Sequence, residues 1–185
     1  FWADQASRLA DRFRVLTFDP WGHGASPAPP AGATFDTFVA GILALWNALG
    51  IDRSSLVGLG FGGSLALAAA AAAPHRVAGV VAFCCRPRQP DDRRAFWRER
   101  SATAGELGIP AIPAMTVDRW LSQEFRSAHP ETDAALRQAM NGTSLAGYQA
   151  YATAFAAMDF TDHLGAISCP VRLVAAEHEH GGGPV

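Results

Sequence analysis

The chain contains no lysine, so all 15 of its Lys+Arg cations are arginine. Schiff-base chemistry and a covalently held pyridoxal group both need a lysine amine, and both are excluded. Charge of either sign is scarce in excess: the formal net charge is −2, which gives no electrostatic reason to expect nucleic acid, a membrane surface or another polyanion as partner. Long hydrophobic runs are also missing. The longest, residues 65–74, is mostly alanine and too short to cross a bilayer, and no secretory n-region or h-region opens the sequence. Cysteine is sparse and odd in number: Cys84, Cys85 and Cys169 lie in apolar runs without C-x-x-C spacing. That pattern suits reduced thiols in a cytoplasmic protein better than a disulfide framework.

What is present is enough for one well-buried core: 185 residues, of which 49% are hydrophobic. Heavy use of Ala, Gly, Pro and Arg is the usage of a GC-rich bacterial genome. A helical pattern is already running at residues 1–12, with Phe1, Trp2, Leu9 and Ala10 on one face. Residues 14–18 (RVLTF) read as a short strand, followed by a turn-rich stretch through Pro30. Apolar residues at helical spacing (Phe38, Ile42, Leu45, Trp46, Leu49) then predict a helix over 35–49 that stops at Gly50.

A second strand, 55–58, runs into Gly60, Gly62 and Gly63 and an alanine-rich helix over 64–73. Residues 77–83 (VAGVVAF) are apolar without alternation, as in a central strand of a parallel sheet. Residues 87–164 carry a charged helical texture, with helix starts expected at Asp91/Asp92, Thr116 and Pro130/Glu131 and a break at Gly142. Strand texture returns at 170–175. A helical insertion between two strands of one sheet predicts a cap over the carboxyl edge, where α/β proteins place ligand sites.

Four pieces in this order carry a resemblance: Asp19-Pro20-Trp21-Gly22-His23-Gly24-Ala25-Ser26 after a strand, Gly58-Leu59-Gly60-Phe61-Gly62-Gly63 at a strand-to-helix turn, the helical insertion, and Ala176-Glu177-His178-Glu179 after a later strand. Together they resemble the α/β-hydrolase superfamily over essentially the whole chain. Trp120-Leu121, Phe125, Gly147-Tyr148, Met158-Asp159 and Ile167-Ser168-Cys169-Pro170 are most similar to the 3-oxoadipate enol-lactonase-type hydrolases. The resemblance implies a partial α/β-hydrolase fold, a parallel sheet of about four strands with helices on both faces and a helical cap. It divides the chain into core (1–86), cap insertion (87–164) and a last core strand with an acid loop (165–185), one domain shortened at both ends.

A G-x-S-x-G elbow holds its nucleophile in a strained turn where strand and helix approach closely, so small residues flank it. Gly58 and Gly62 occupy the flanks, Gly63 follows, and the nucleophile position is Gly60. Glycine has no atom with which to attack a carbonyl. The resemblance makes the Phe61 backbone N–H an oxyanion donor. It places the acid of the triad at Glu179, although a solvated loop glutamate reads equally simply. None of His23, His75, His129, His163, His178 or His180 matches the family's catalytic histidine.

Other readings of the same residues are open. G-x-G-x-G-G is not the dinucleotide pattern and lacks the Lys and Ser/Thr of a P-loop. Ser64 lies a full turn into the helix and reads as packing. Adjacent Glu177 to His180 lack the converging ligands of a closed site, so no metal and no cofactor are expected. His23 and Trp21 in the glycine loop, Arg86 at the entry to the insertion, and Trp97, Trp120 and Tyr148 within it are pocket candidates. An arginine facing the elbow would suit a carboxylate-bearing ester or lactone, while a solvated helix face is the plainer account of the arginine cluster. The resemblance therefore implies a small-molecule ester or lactone hydrolase lineage without a nucleophile, or a ligand-binding or scaffold protein on the same fold, and leaves the oligomeric state open. With sheet edges unpaired, the chain alone is expected to aggregate or to be molten.

Overall fold

The computed structural model describes residues 2–177. The chain folds as two compact units, one of Phe1–Pro29 with Ala102–Gln149, the other of Pro30–Ser101 with Ala150–Val185.

The second unit holds the sheet. It begins with α2 (Phe35–Ala48), α1 (Ala3–Leu9) belonging to the first unit. The Thr37 hydroxyl accepts a hydrogen bond from the Thr34 N–H at 3.0 Å, closing the first turn of α2. Phe35, Phe38, Val39, Ile42 and Trp46 form its buried stripe at helical spacing. Strand β1 (Ser54–Leu59) leads into α3 (Phe61–Ala72), and β2 (Val77–Phe83) and β3 (Val171–Val174) complete a parallel sheet in the order β1-β2-β3.

Helix α3 is alanine-rich because it is buried nearly all round: residues from Leu65 to Ala70 and Ser64 are all below the surface. Leu56, Gly58, Val80 and Ala82 share the sheet face that meets α3, since the register pairs Leu56 with Val80 and Gly58 with Ala82. Val57 and Leu59 lie on the opposite face, where they are 51% and 39% exposed. All four residues of β3 are exposed.

The structure departs from three sequence expectations. Residues 14–18 form no strand, and Phe13, Val15, Leu16 and Phe18 are exposed. Their β-propensity is local, whereas a strand exists only by pairing, and no described strand runs beside them. The sheet accordingly has three strands among the described residues rather than about four. Helix α3 starts at Phe61, not 64, so two glycines sit inside its first turn. Thr116 starts no helix. It lies within α5 (Ile112–Trp120), its hydroxyl bonded back to the Ile112 carbonyl at 2.9 Å.

The helical stretch otherwise follows the sequence. Its helices are α4 (Asp91–Leu107), α5, α6 (Gln123–Ala128), α7 (Pro130–Asn141), which ends at Gly142, and α8 (Leu145–Ala157). Within the first unit, Ser122 caps α6 by accepting from the Phe125 N–H at 3.1 Å, and Pro130 opens α7 where no N–H is needed.

An ion network ties α5, α6 and α7. Arg137 meets Asp133 through two bonds of 2.7 and 2.9 Å and reaches Asp118 at 2.7 Å, while Arg126 meets Asp118 at 2.9 Å. The hydrogen bond from Arg137 holds the Asp133 carboxyl below the usual carboxylate range. A carboxyl depressed in the folded state stabilises above its unfolded pKa and loses that contribution as pH falls through the folded value. Helical circular dichroism should therefore weaken on acidification below about pH 4, and the effect should shrink in Asp133→Asn. An identical acid transition in the variant would show that the network contributes nothing.

Candidate active site

The site is built where β1 ends. Gly60 donates its N–H to the Phe83 carbonyl at 2.9 Å, fixing the turn to the end of β2, and its own carbonyl accepts from the Ser64 N–H at 3.0 Å. Between these anchors Gly60 takes φ +56° and ψ −117°, a backbone that side-chain-bearing residues rarely adopt, and serves as the N-cap of α3. A strand thus reverses into a helix through one strained residue that stands at the apex.

The surrounding glycines have different jobs. A Cβ on Gly58 would overlap the Gly62 carbonyl and come within 2.6 Å of the Gly63 nitrogen, so strand and helix cross here backbone to backbone. A Cβ on Gly63 would lie 2.9 Å from the Cys85 Cβ. Gly62 contributes only its backbone, for a Cβ there would meet nothing within 4 Å among the described residues. A Cβ on Gly60 is equally free of neighbours. The apex is strained in backbone yet open in space.

Phe61 gives the turn its packing. Its ring meets Phe35, Phe38, Tyr151 and Phe155 edge-on at centroid distances of 5.6, 5.3, 4.7 and 5.1 Å. Its N–H, at the first position of α3, has no acceptor among the described residues. Ser64 is fully buried and donates its hydroxyl to the Arg86 carbonyl at 2.9 Å, which removes it as a displaced nucleophile.

A second tight turn lies beside the elbow. Cys84 follows β2 with φ +48°, and its N–H bonds the Val174 carbonyl at 2.8 Å. Burial, with a smaller contribution from Cys84, pushes the Cys85 thiol up to about 11, so it stays protonated and unreactive. The following segment is pinned just beyond the end of α8: the Phe160 N–H bonds the Pro87 carbonyl at 3.1 Å, and the backbones of Arg88 and Asp159 pair in an isolated antiparallel bridge. The Asp159 carboxyl is held below the usual range first by the Thr161 N–H and then by the Arg88 and Arg94 guanidiniums.

Of the pocket candidates, Arg86 and Trp97 share the unit of Gly60. The Trp97 ring packs on Tyr151 and Phe155 at 5.5 and 4.9 Å, and both of those also touch Phe61. Arg86 serves Ser64 through its backbone. Trp21, His23, Trp120 and Tyr148 belong to the other unit. There His23 Nδ1 lies 3.0 Å from the Trp21 carbonyl, Trp120 ends α5 with its ring mostly exposed, and Tyr148 is buried in the first turns of α8. Glu179, the expected acid, lies outside the described residues.

Sequence reasoning overlooked Tyr151 and Phe155, whose i,i+4 spacing on α8 was the available signal, and Cys84, whose backbone strain has none. Among the described residues no three His, Cys, Asp or Glu side chains converge as metal ligands, and no helix is long and apolar enough to cross a membrane.

A parallel sheet feeding a glycine elbow into a buried helix, with a helical insertion after the next strand, defines the class. The chain belongs to the alpha/beta hydrolase fold family, which it matches over residues 1–160. It is 26% identical to 3-oxoadipate enol-lactonase 2 of Acinetobacter baylyi across 96% of its own length and 66% of that protein's. It therefore spans just under two thirds of the length of that curated relative. Among solved structures it resembles the enol-lactonase from Burkholderia xenovorans LB400 (TM-score 0.89, 25% identity, 97% of this chain and 78% of that one). It also resembles a thermophilic esterase from Thermogutta terrifontis, solved with malate bound (TM-score 0.85, 29% identity, 94% and 65%).

Proposed function

We propose that this chain comes from a lineage of carboxylic ester or lactone hydrolases and itself performs no acyl-enzyme chemistry, because glycine stands where the nucleophile would be. The observation that carries this reading is Gly60 itself: φ +56° and ψ −117° at the apex between β1 and α3, with no side chain to attack. Retention of a strained turn without the group it presents points to descent from an enzyme. The enol-lactonase and esterase likenesses support small esters and lactones as the substrate class, and the malate bound to the Thermogutta relative supports a carboxylate-bearing one. The chemistry of that class needs no cofactor or metal. Three cysteines outside any disulfide agree with a reducing, cytoplasmic setting.

The test is turnover of chromogenic esters and an enol-lactone by the chain and by Gly60→Ser, with mass spectrometry after treatment with a fluorophosphonate. The chain should show neither turnover nor adduct. Hydrolysis or an adduct in the unsubstituted protein, free of contaminating esterase, would sink the proposal. Because a Cβ at residue 60 meets no neighbour among the described residues, the serine variant should fold, at a strain cost on the order of 1 kcal/mol or somewhat more.

One observation favours a binding role for the same turn. The Phe61 N–H faces no acceptor among the described residues and stands at the positive end of α3. A non-catalytic protein would use it to hold a carbonyl or carboxylate oxygen. Calorimetric titration with a small lactone and its ring-opened carboxylate distinguishes this role, since a scaffold would give no heat with either.

A further inference from the structure

By its place in the sequence, the loop carrying Trp21 and His23 belongs to the core, as the turn that follows residues 14–18. Its contacts in the first unit assign it elsewhere. Gly22 adopts φ +78° and lies flat against Gly147 in the first turn of α8. A Cβ on Gly147 would fall 2.7 Å from both the Gly22 carbonyl oxygen and Ser144 Oγ, and closer still to the Gly22 Cα. A Cβ on Gly22 would strike the Gly147 backbone in the same way. Two glycines thus meet backbone to backbone.

Ser144 joins the two sides. Its Oγ accepts from the Gly147 N–H at 3.0 Å, which caps α8, while its own N–H donates to the Gly22 carbonyl at 3.1 Å. The Gly22 N–H in turn donates to the Pro27 carbonyl at 2.7 Å, and the Ser26 N–H to the His23 carbonyl at 2.9 Å, so the loop is internally closed around the contact. Residues 14–18, which precede the loop, form no strand and are exposed.

We infer that Ser144 and Gly147 are positioning residues for the Trp21-Gly22-His23 loop: the capped start of α8 sets where its backbone stands. Any ligand contact made by Trp21 or His23 is then governed by the helical insertion. A substitution in α8 would alter it without touching the elbow.

The experiment follows His23 directly. In Gly147→Ala the rate of His23 carbethoxylation by diethylpyrocarbonate, measured by mass spectrometry against exposed His163, should rise at least about fivefold, as local opening of the loop becomes easier. Exchange of the Gly22 and Ser26 amides should accelerate with it, while the β2 amide of Val80 stays protected. Gly165→Ala, whose Cβ meets nothing within 4 Å among the described residues, should change neither readout. Ser144→Ala, a milder change that keeps the backbone bond, should give the same pattern at smaller size, and serves if Gly147→Ala does not fold. An unchanged His23 rate in a folded variant overturns the inference. So does acceleration shared equally by the loop and Val80, which would mark global loosening.

Discussion

Gly58→Ala should destabilise the chain by roughly 3 kcal/mol or more, whereas Gly62→Ala, on the other side of the same apex, should be neutral or stabilising by up to about 1 kcal/mol. The difference follows from what a methyl group meets at each position. At Gly58 it would occupy the space of the Gly62 carbonyl, and that carbonyl belongs to the backbone of a buried helix, which cannot step aside as a flexible side chain would. Relief requires β1 and α3 to separate, and α3 is packed on nearly every side. At Gly62 the methyl group would enter open space in the first turn of α3, where replacing glycine lowers the entropy of the unfolded chain. Urea denaturation of both variants reads the contrast. Equal destabilisation would show that the two glycines are required for the same reason and that the backbone crossing is not the controlling contact.

The second large effect is expected at Arg76, in the short 3-10 turn Pro74–Arg76 that precedes β2. Its guanidinium donates to Asn47 Oδ1 and to the Ile51 carbonyl, each at 2.7 Å, and lies over the Trp46 ring at 5.3 Å. One planar cation thus gathers the last turn of α2, the residues beyond it and the entry to β2. Arg76→Ala should cost about 2 to 3 kcal/mol, since carbonyls satisfied by a charged donor lose it together with the stacking on Trp46. Arg76→Lys should recover less than half of that, because a single ammonium cannot span both oxygens while stacking on an indole. A lysine variant as stable as the parent would reduce Arg76 to a generic surface charge. Urea denaturation of both variants, followed by circular dichroism, measures these losses.

The strand-to-helix turn at Gly60 was legible in the sequence because glycines at 58, 60 and 63 answer to backbone constraints that other residues rarely meet, and such constraints leave marks at fixed spacing. The same glycines hid the true start of α3. Residues 62 and 63 have poor intrinsic helix propensity, but at the first turn burial and the approach of β1 and Cys85 override it. Residues 14–18 failed in the opposite direction. Val15, Leu16 and Phe18 have the composition of a strand, yet composition says nothing of the neighbour that makes one.

Arg76 and the Gly22–Gly147 contact were beyond reach for a further reason. Each joins residues far apart in the chain, and neither end carries a pattern that names the other. The aromatic group around Phe61 lies between these cases. Phe35 and Phe38 fall on the predicted stripe of α2, while Tyr151 and Phe155 belong to a helix with so many alanines that its face does not stand out.

The open face of the sheet sets how this protein behaves as a solute. Val57, Leu59 and Val174 present partly exposed apolar surface, and among the described residues β3 is paired on one side only. A net charge of −2 supplies almost no long-range repulsion between copies, and salt screens what there is. Near neutral pH, self-association should therefore be governed by contact between these faces, so that cooling, which weakens apolar attraction, disperses the protein.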